Sequence, residues 1–189
     1  REEGDIYYLT SANWRGPLAS ITAVTGTVYA GAGKQHRPQI APHGPSGYLY
    51  AIWEDERDDD GDVYISRYNP DTDASWSAPV QVNDDATTVE QSKPQVAVNV
   101  DGDVYAVWED RREESDVYFS RWISGTAWSA ANWTTNTRLS DASMIWAGEP
   151  DIVVGPTGTL YAAWVEKVDT CQGIGCSWDY QIVVGRSDD

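Results

Sequence analysis

The chain has 189 residues, with 30 acids against 13 bases, two His and a formal net charge of −17. That surplus would repel a phosphate backbone, which argues against a nucleic-acid partner, and no apolar run reaches the ~18 residues a membrane helix needs. Ten Trp and eleven Tyr stand against one Phe and one Met, and 16 Gly and 9 Pro are scattered between short apolar runs. This composition favours many short elements joined by turns around aromatic cores, not long aliphatic helices.

In chain order, residues 1–34 open with REEGDIYYLTSANWRGPL. This stretch matches the middle of a unit that recurs twice further on: Asp5 aligns with Asp116 and Trp14 with Trp128. It reads as a half-unit holding only a third and a fourth strand. Three fuller units follow at 35–90, 91–146 and 147–189, each opening on a proline. Pro38, Pro94 and Pro150 lie 56 residues apart in HRPQIA, SKPQVA and GEPDIV. A second landmark follows in GYLYAIWED, DVYAVWED and TLYAAWVE, with Trp53, Trp108 and Trp164 spaced 55 and 56. A third ends at Arg67, Arg121 and Arg186 in DVYISR, DVYFSR and IVVGR. Trp76 and Trp128 mark the fourth segment of the first two units.

The second segment is apolar without a break, as in Val104 to Trp108. A strand with one wet face would alternate, so both faces are covered. Four short β-branched and aromatic runs per ~50 residues, repeated in tandem and shielding each other's faces, predict a β-propeller of four-stranded antiparallel blades. The chain supplies about 3 to 3.5 blades, the last one lacking its fourth strand. Open blade faces are costly in water. The expectation is a segment of a longer propeller, or a ring completed by other copies through self-association.

The acidic hairpin Glu54–Asp62 carries Asp55, Asp58, Asp60 and Asp62, hard oxygens of the kind that calcium takes. A solvated charged turn is the other reading, since the matching hairpin holds Arg111 and Arg112 among its acids. No other cofactor is expected. Cys171 and Cys176 in CQGIGC suit a local disulfide. Arg37, Lys93 and Glu149 occupy one repeat position, just before the proline, while their neighbours stay fixed. If that position faces the channel entrance, these residues define a ligand face; free variation of a repeat loop is the alternative. Trp146, in SMIWAGEP, precedes an inner strand and is a candidate sugar platform, with packing under a loop as the alternative.

These residues resemble the sialidase-like propellers that carry Asp-box (BNR) repeats. Asn69 to Trp76 is similar to the box pattern S-x-D-x-G-x-T-W, keeping Asp71, a hydroxyl and Trp76 but lacking the glycine. Ser124 to Trp128 is a shorter copy without the Asp, and Ser187-Asp188-Asp189 looks like the opening of a third. The resemblance implies a structural role for Asp71, Trp76 and Trp128. It also implies an Arg-Ile-Pro motif for the substrate-clamping arginine of sialidases; Arg37-Pro38 lacks the Ile, and Glu149 stands at the matching place of a later blade. The expected function is an extracellular or cell-surface binding or scaffold module, presenting loops to a glycan, to a protein partner or to other copies of itself. A segment of a sialidase-like glycoside hydrolase and a subunit of a surface layer or filament are the alternatives.

Overall fold

The computed structural model describes residues 6–10, 24–29, 31–58, 60–169 and 177–187, with side chains from Val28 onward. Cys171, Cys176 and Trp14 lie outside the described residues. Among the described residues thirteen strands build four antiparallel sheets. β1 (Ile6–Thr10) pairs with β2 (Val24–Tyr29). The first four-stranded sheet is β3 (Gln35–Pro42), β4 (Leu49–Asp55), β5 (Asp62–Tyr68) and β6 (Val80–Gln81), in that order. The second repeats the order with β7 (Gln91–Val98), β8 (Val104–Asp110), β9 (Asp116–Trp122) and β10 (Thr137–Arg138). The third holds β11 (Trp146–Val154), β12 (Leu160–Asp169) and β13 (Trp178–Ser187). One 3-10 turn, Ala130–Asn132, precedes β10.

The first strands β3, β7 and β11 lie against one another in sequence, so the sheets fan out from their inner edges. This is the β-propeller that the repeat predicts. The unbroken apolar runs are the central strands. β8 is buried along its whole length and β4 along nearly all of it. Trp53 and Trp108 are fully buried and occupy matching registers, opposite Tyr64 and Tyr118. Trp164 takes the same place opposite Val183. The facing sides of successive sheets pack on each other. Tyr50, Ile52, Val63 and Ile65 meet Val104, Ala106, Trp108 and Tyr118, forming the largest core.

Conserved-looking polar residues in the repeat have structural work. Each core indole donates to a carboxylate two residues on: Trp53 to Asp55 at 2.8 Å, Trp108 to Asp110 at 3.0 Å and Trp164 to Glu166 at 2.9 Å. In the first two sheets an arginine then closes the hairpin. Arg57 and Arg112 each donate a backbone amide and a side-chain fork to that same Asp. The guanidinium of Arg57 also lies 4.0 Å from the Tyr29 ring centre and 3.9 Å from that of Tyr64. The hairpin arginines are therefore bidentate, stacked and preorganised, a service lysine does not provide.

Candidate functional site

The residue before each repeat proline sits in a bulge. The pairing of β3 with β4 slips between His36 and Gln39, that of β7 with β8 between Ser92 and Gln95, and that of β11 with β12 between Gly148 and Asp151. At these bulges Arg37, Lys93 and Glu149 adopt φ of 48°, 52° and 54°; they are the described non-glycine residues with positive φ. An L-residue in this region is strained by about 1–2 kcal/mol, and a following proline pushes its predecessor toward extended geometry instead. The three candidate residues thus share one unusual backbone state on three neighbouring inner strands.

Their side chains form a chain of charges. Arg37 pairs with Glu54 on β4. Lys93 donates to Glu109 on β8 at 3.0 Å and to Glu149, on the next sheet, at 2.7 Å. Burial alone would lower the pKa of Lys93, but its hydrogen bonds to Glu149 and Glu109 outweigh that and raise it. Glu109 reaches β11 because residue 148 is glycine: a Cβ there would lie 2.3 Å from its carboxylate oxygen. The carboxylate partners escaped the reading of the sequence. The signal was present, since Glu54 and Glu109 accompany the cationic Arg37 and Lys93, whereas Val165 occupies the matching register beside Glu149.

A cleft of about 810 Å³ opens beside Arg37, lined among others by His36, Glu54, Glu56, Glu90 and Arg111. His36 and Lys34 both contact Glu56 at 2.9 Å, and Arg111 pairs with Glu90 at 2.6 Å. The hydrogen bond from Lys34, helped by His36, holds the Glu56 carboxyl below its ordinary pKa. The wall of the cleft therefore alternates donors and acceptors. No three cations converge there among the described residues: Arg37 and Lys93 are both committed to carboxylates. Trp146, half-buried at the start of β11, meets Tyr180 edge-on at 6.4 Å. Trp178, exposed, carries Lys167 at 4.2 Å over its ring.

The carboxylates of the acidic hairpin have different surroundings. Asp55 is fully buried and bonded by Trp53 and Arg57. Asp62 accepts from the Gln81 and Asn83 amides at 2.9 and 2.7 Å, which ties β5 to its fourth strand. Asp58 accepts from the Tyr64 hydroxyl at 3.2 Å, and Asp60 is exposed at the cleft. Among the described residues no three His, Cys, Asp or Glu gather as a metal group. Three of the four candidate carboxylates, Asp55, Asp58 and Asp62, accept from protein donors.

In the Asn69–Trp76 turn, the side chains that bond turn amides are Asn69, to the Asp71 amide at 3.0 Å, and Asp73, to the Asn69 amide at 2.8 Å. Asp71 thus contributes its backbone, and the bonding expected of its carboxylate falls to its neighbours. Trp76 is buried and stacks on Tyr68 at 5.5 Å. Trp128 meets Tyr50, Trp122 and Trp133, with Arg67 4.8 Å above its ring. Arg121 pairs with Asp103 at 2.7 Å. These arginines sit in inter-sheet packing.

No protein-family model and no curated protein matches the chain. Solved structures do. It is similar to the GH93 α-L-arabinofuranosidase of Fusarium graminearum in complex with arabinobiose, at 10% identity over 88% of this chain and 52% of that one, with a TM-score of 0.57. It is similar to a protein of unknown function from Dyadobacter fermentans, at 11% identity over 80% of this chain and 36% of that one, TM-score 0.51. It is similar to the Trypanosoma rangeli sialidase, at 14% identity over 100% of this chain and 34% of that one, TM-score 0.48. The chain spans about a third to a half of the length of the structures it matches. At these identities the likeness is one of fold. Among the described residues no helix is long and apolar enough to cross a membrane.

Proposed function

We propose that the chain is an extracytoplasmic β-propeller module that binds a glycan at its inner-strand face through Arg37, Lys93 and Glu149, with Trp146 as the aromatic platform. The observation that carries this reading is the row of three charged residues held at φ 48–54° immediately before proline. A purely structural bulge would accept glycine at less cost. Strain retained at three equivalent places, and spent on three exposed or part-exposed charged side chains, suits a ligand face. Carboxylates that accept and cations that donate, alternating along a roomy cleft, match a ligand rich in hydroxyls. The bound arabinobiose of the Fusarium enzyme supports glycan as the first ligand class to test. The −17 charge and the scarcity of lysine, three in all, suit a secreted surface. In this scheme the Asn69–Trp76 and Ser124–Trp128 turns are degenerate Asp boxes that serve the scaffold, and Arg37 and Lys93, each paired with a carboxylate, serve binding.

Calorimetric titration with arabinobiose and with an acidic sialylated trisaccharide tests the reading. Lys93→Ala, Arg37→Ala and Trp146→Ala should each weaken binding about tenfold or more, the loss of one charge-assisted or stacking contact. Failure of both sugars to bind, or binding indifferent to all three substitutions, overturns it. Release of free sugar during titration would replace it with a sialidase-like hydrolase.

A further inference from the structure

Arg67 and Arg121 hold equivalent places on β5 and β9 but keep different company. Each stands opposite a tyrosine of the central strand, Arg67 opposite Tyr50 and Arg121 opposite Tyr105. Arg121 is neutralised, its Nη2 donating to Asp103 at 2.7 Å. Asp103 is the residue just before β8, and the residue just before β4 is Tyr48. A ring therefore stands in the first sheet where a carboxylate stands in the second, and among the described residues Arg67 makes no ion pair.

Arg67 is caged by aromatic groups instead. Its guanidinium lies 5.0 Å from the Tyr48 ring centre, 4.8 Å from that of Trp128 and 5.5 Å from that of Trp122, and it hydrogen-bonds the Tyr50 hydroxyl. Rings attract a cation and hold it in place, yet they cancel none of its formal charge. Tyr50 and Trp122 are buried, which keeps water from the core side of the cage. On the other side opens a pocket of about 290 Å³, lined by Arg67, Tyr48, His43, Ser46, Ser124 and Thr126 among others. His43 braces its wall: one ring nitrogen meets the Val100 carbonyl at 3.0 Å and the other the Ser46 hydroxyl at 2.5 Å, tying the β3–β4 loop to the β7–β8 loop. Gly102 completes that wall at φ 88°, where a Cβ would lie 3.1 Å from both His43 and Ser124. The pocket is distinct from the cleft beside Arg37. Tyr50 is four residues, about 13 Å, along β4 from Glu54, the partner of Arg37.

A guanidinium matches the two oxygens of a carboxylate with parallel N–H donors, and this one is held by rings with its charge unspent. The hydroxyls around it suit a ligand that carries hydroxyls of its own. The volume is at the small end of ligand pockets. We propose that this pocket is a second binding site, for a small hydroxylated carboxylate the size of a single sugar acid, with Arg67 as its anchor. Tyr48 keeps the anchor charged, whereas Asp103 cancels the same charge at Arg121.

Titration of the 189-residue chain with glucuronate, followed by tryptophan fluorescence, provides the test, since Trp122 and Trp128 flank Arg67. The expected result is a saturable change, complete by roughly 10 mM as one charge-assisted anchor allows, and none with methyl glucoside, which lacks the carboxylate. Arg67→Gln should weaken binding about tenfold or more. Arg67 also packs between sheets, so Tyr48→Asp is the sharper variant: it leaves the arginine in place and gives it the partner that Arg121 has. Glucuronate binding should fall as far, with near-ultraviolet circular dichroism retained. Lys167→Gln, which removes a cation from the third sheet, should leave binding intact. No saturable response to glucuronate, an equal response to methyl glucoside, or full affinity in either Arg67→Gln or Tyr48→Asp with native dichroism overturns the proposal. A response lost in Arg37→Ala and kept in Arg67→Gln overturns it too, and moves the carboxylate to the cleft.

Discussion

Replacing Asp110 by alanine should be among the most damaging single changes in the chain. The carboxylate is fully buried. It accepts from the Trp108 indole at 3.0 Å and from the Arg112 amide, Nε and Nη2 at 2.9, 3.1 and 2.8 Å. Removing one partner of a buried ion pair costs about 3–5 kcal/mol. Arg112 keeps Asp84 and Asn136 at 3.0 and 3.2 Å and remains one-fifth exposed, which places its share at the lower end, about 3 kcal/mol. The orphaned indole N–H of the fully buried Trp108 adds about 1 kcal/mol. The sum, about 4 kcal/mol, corresponds to a melting temperature about 8–16 °C lower for a chain of this size. Asp110→Asn retains an acceptor for the indole and should lose less. Glu56→Gln, at an exposed pair with Lys34, should cost under about 1 kcal/mol. Urea denaturation followed by tryptophan fluorescence measures all three. If Asp110→Ala costs no more than Glu56→Gln, the indole–carboxylate–arginine clamp does not hold the hairpin, and aromatic burial alone must do so.

Two further outcomes concern ionisation and strain. Burial raises the pKa of the Tyr64 hydroxyl to about 12 against the opposing field of Arg57, and burial also raises Tyr50, Tyr105 and Tyr118. A raised folded pKa means the folded state holds the proton longer, so this stability is complete below pH ~10 and is lost as pH rises through ~12. A tyrosinate absorbance titration should show late-ionising tyrosines, one of which vanishes in Tyr64→Phe; complete ionisation centred at pH ~10 with native circular dichroism would contradict the burial argument. Glu149→Gly should stabilise the fold by about 0.5 kcal/mol, because relief of its positive φ exceeds the loss of a surface pair and the added chain entropy. A loss above about 1 kcal/mol in thermal unfolding would mean that the bulge is not strained.

The periodic part of the fold was legible because burial on two faces leaves few residues free to vary. Trp53, Trp108 and Trp164 kept their spacing since each fills a matching inter-sheet position and donates to a carboxylate two residues on. The closing Asp of each hairpin, Asp62 and Asp116, was legible as a landmark but not as a buried acceptor for the fourth strand. Its partners Asn83 and Ser140 lie about twenty residues away in loops with no fixed spacing. The acids of the first hairpin show the same limit. Seven acids in nine residues look alike in sequence, yet Asp55 points into the core toward Trp53 while Asp60 faces water. The alternation of a strand separates them only once its register is known.

At the bulge the sequence displayed the variable residues and concealed the conformation that joins them. Arg37, Lys93 and Glu149 differ in charge, size and polarity, so nothing in their chemistry announces a shared φ near +50°. The constraint comes from the slipped ladder, two residues of the inner strand standing opposite one of its partner. A bulge fixes the backbone and leaves the side chain free, and it does so at the edge where successive sheets converge. Lys93 can therefore reach across to Glu149 at 2.7 Å, while Arg37, one sheet back, opens onto the cleft. The core between the sheets is specified by matching residues and the inner rim by differing ones. That division lets the rim change its charge pattern without disturbing Trp53, Trp108 or the faces they cover.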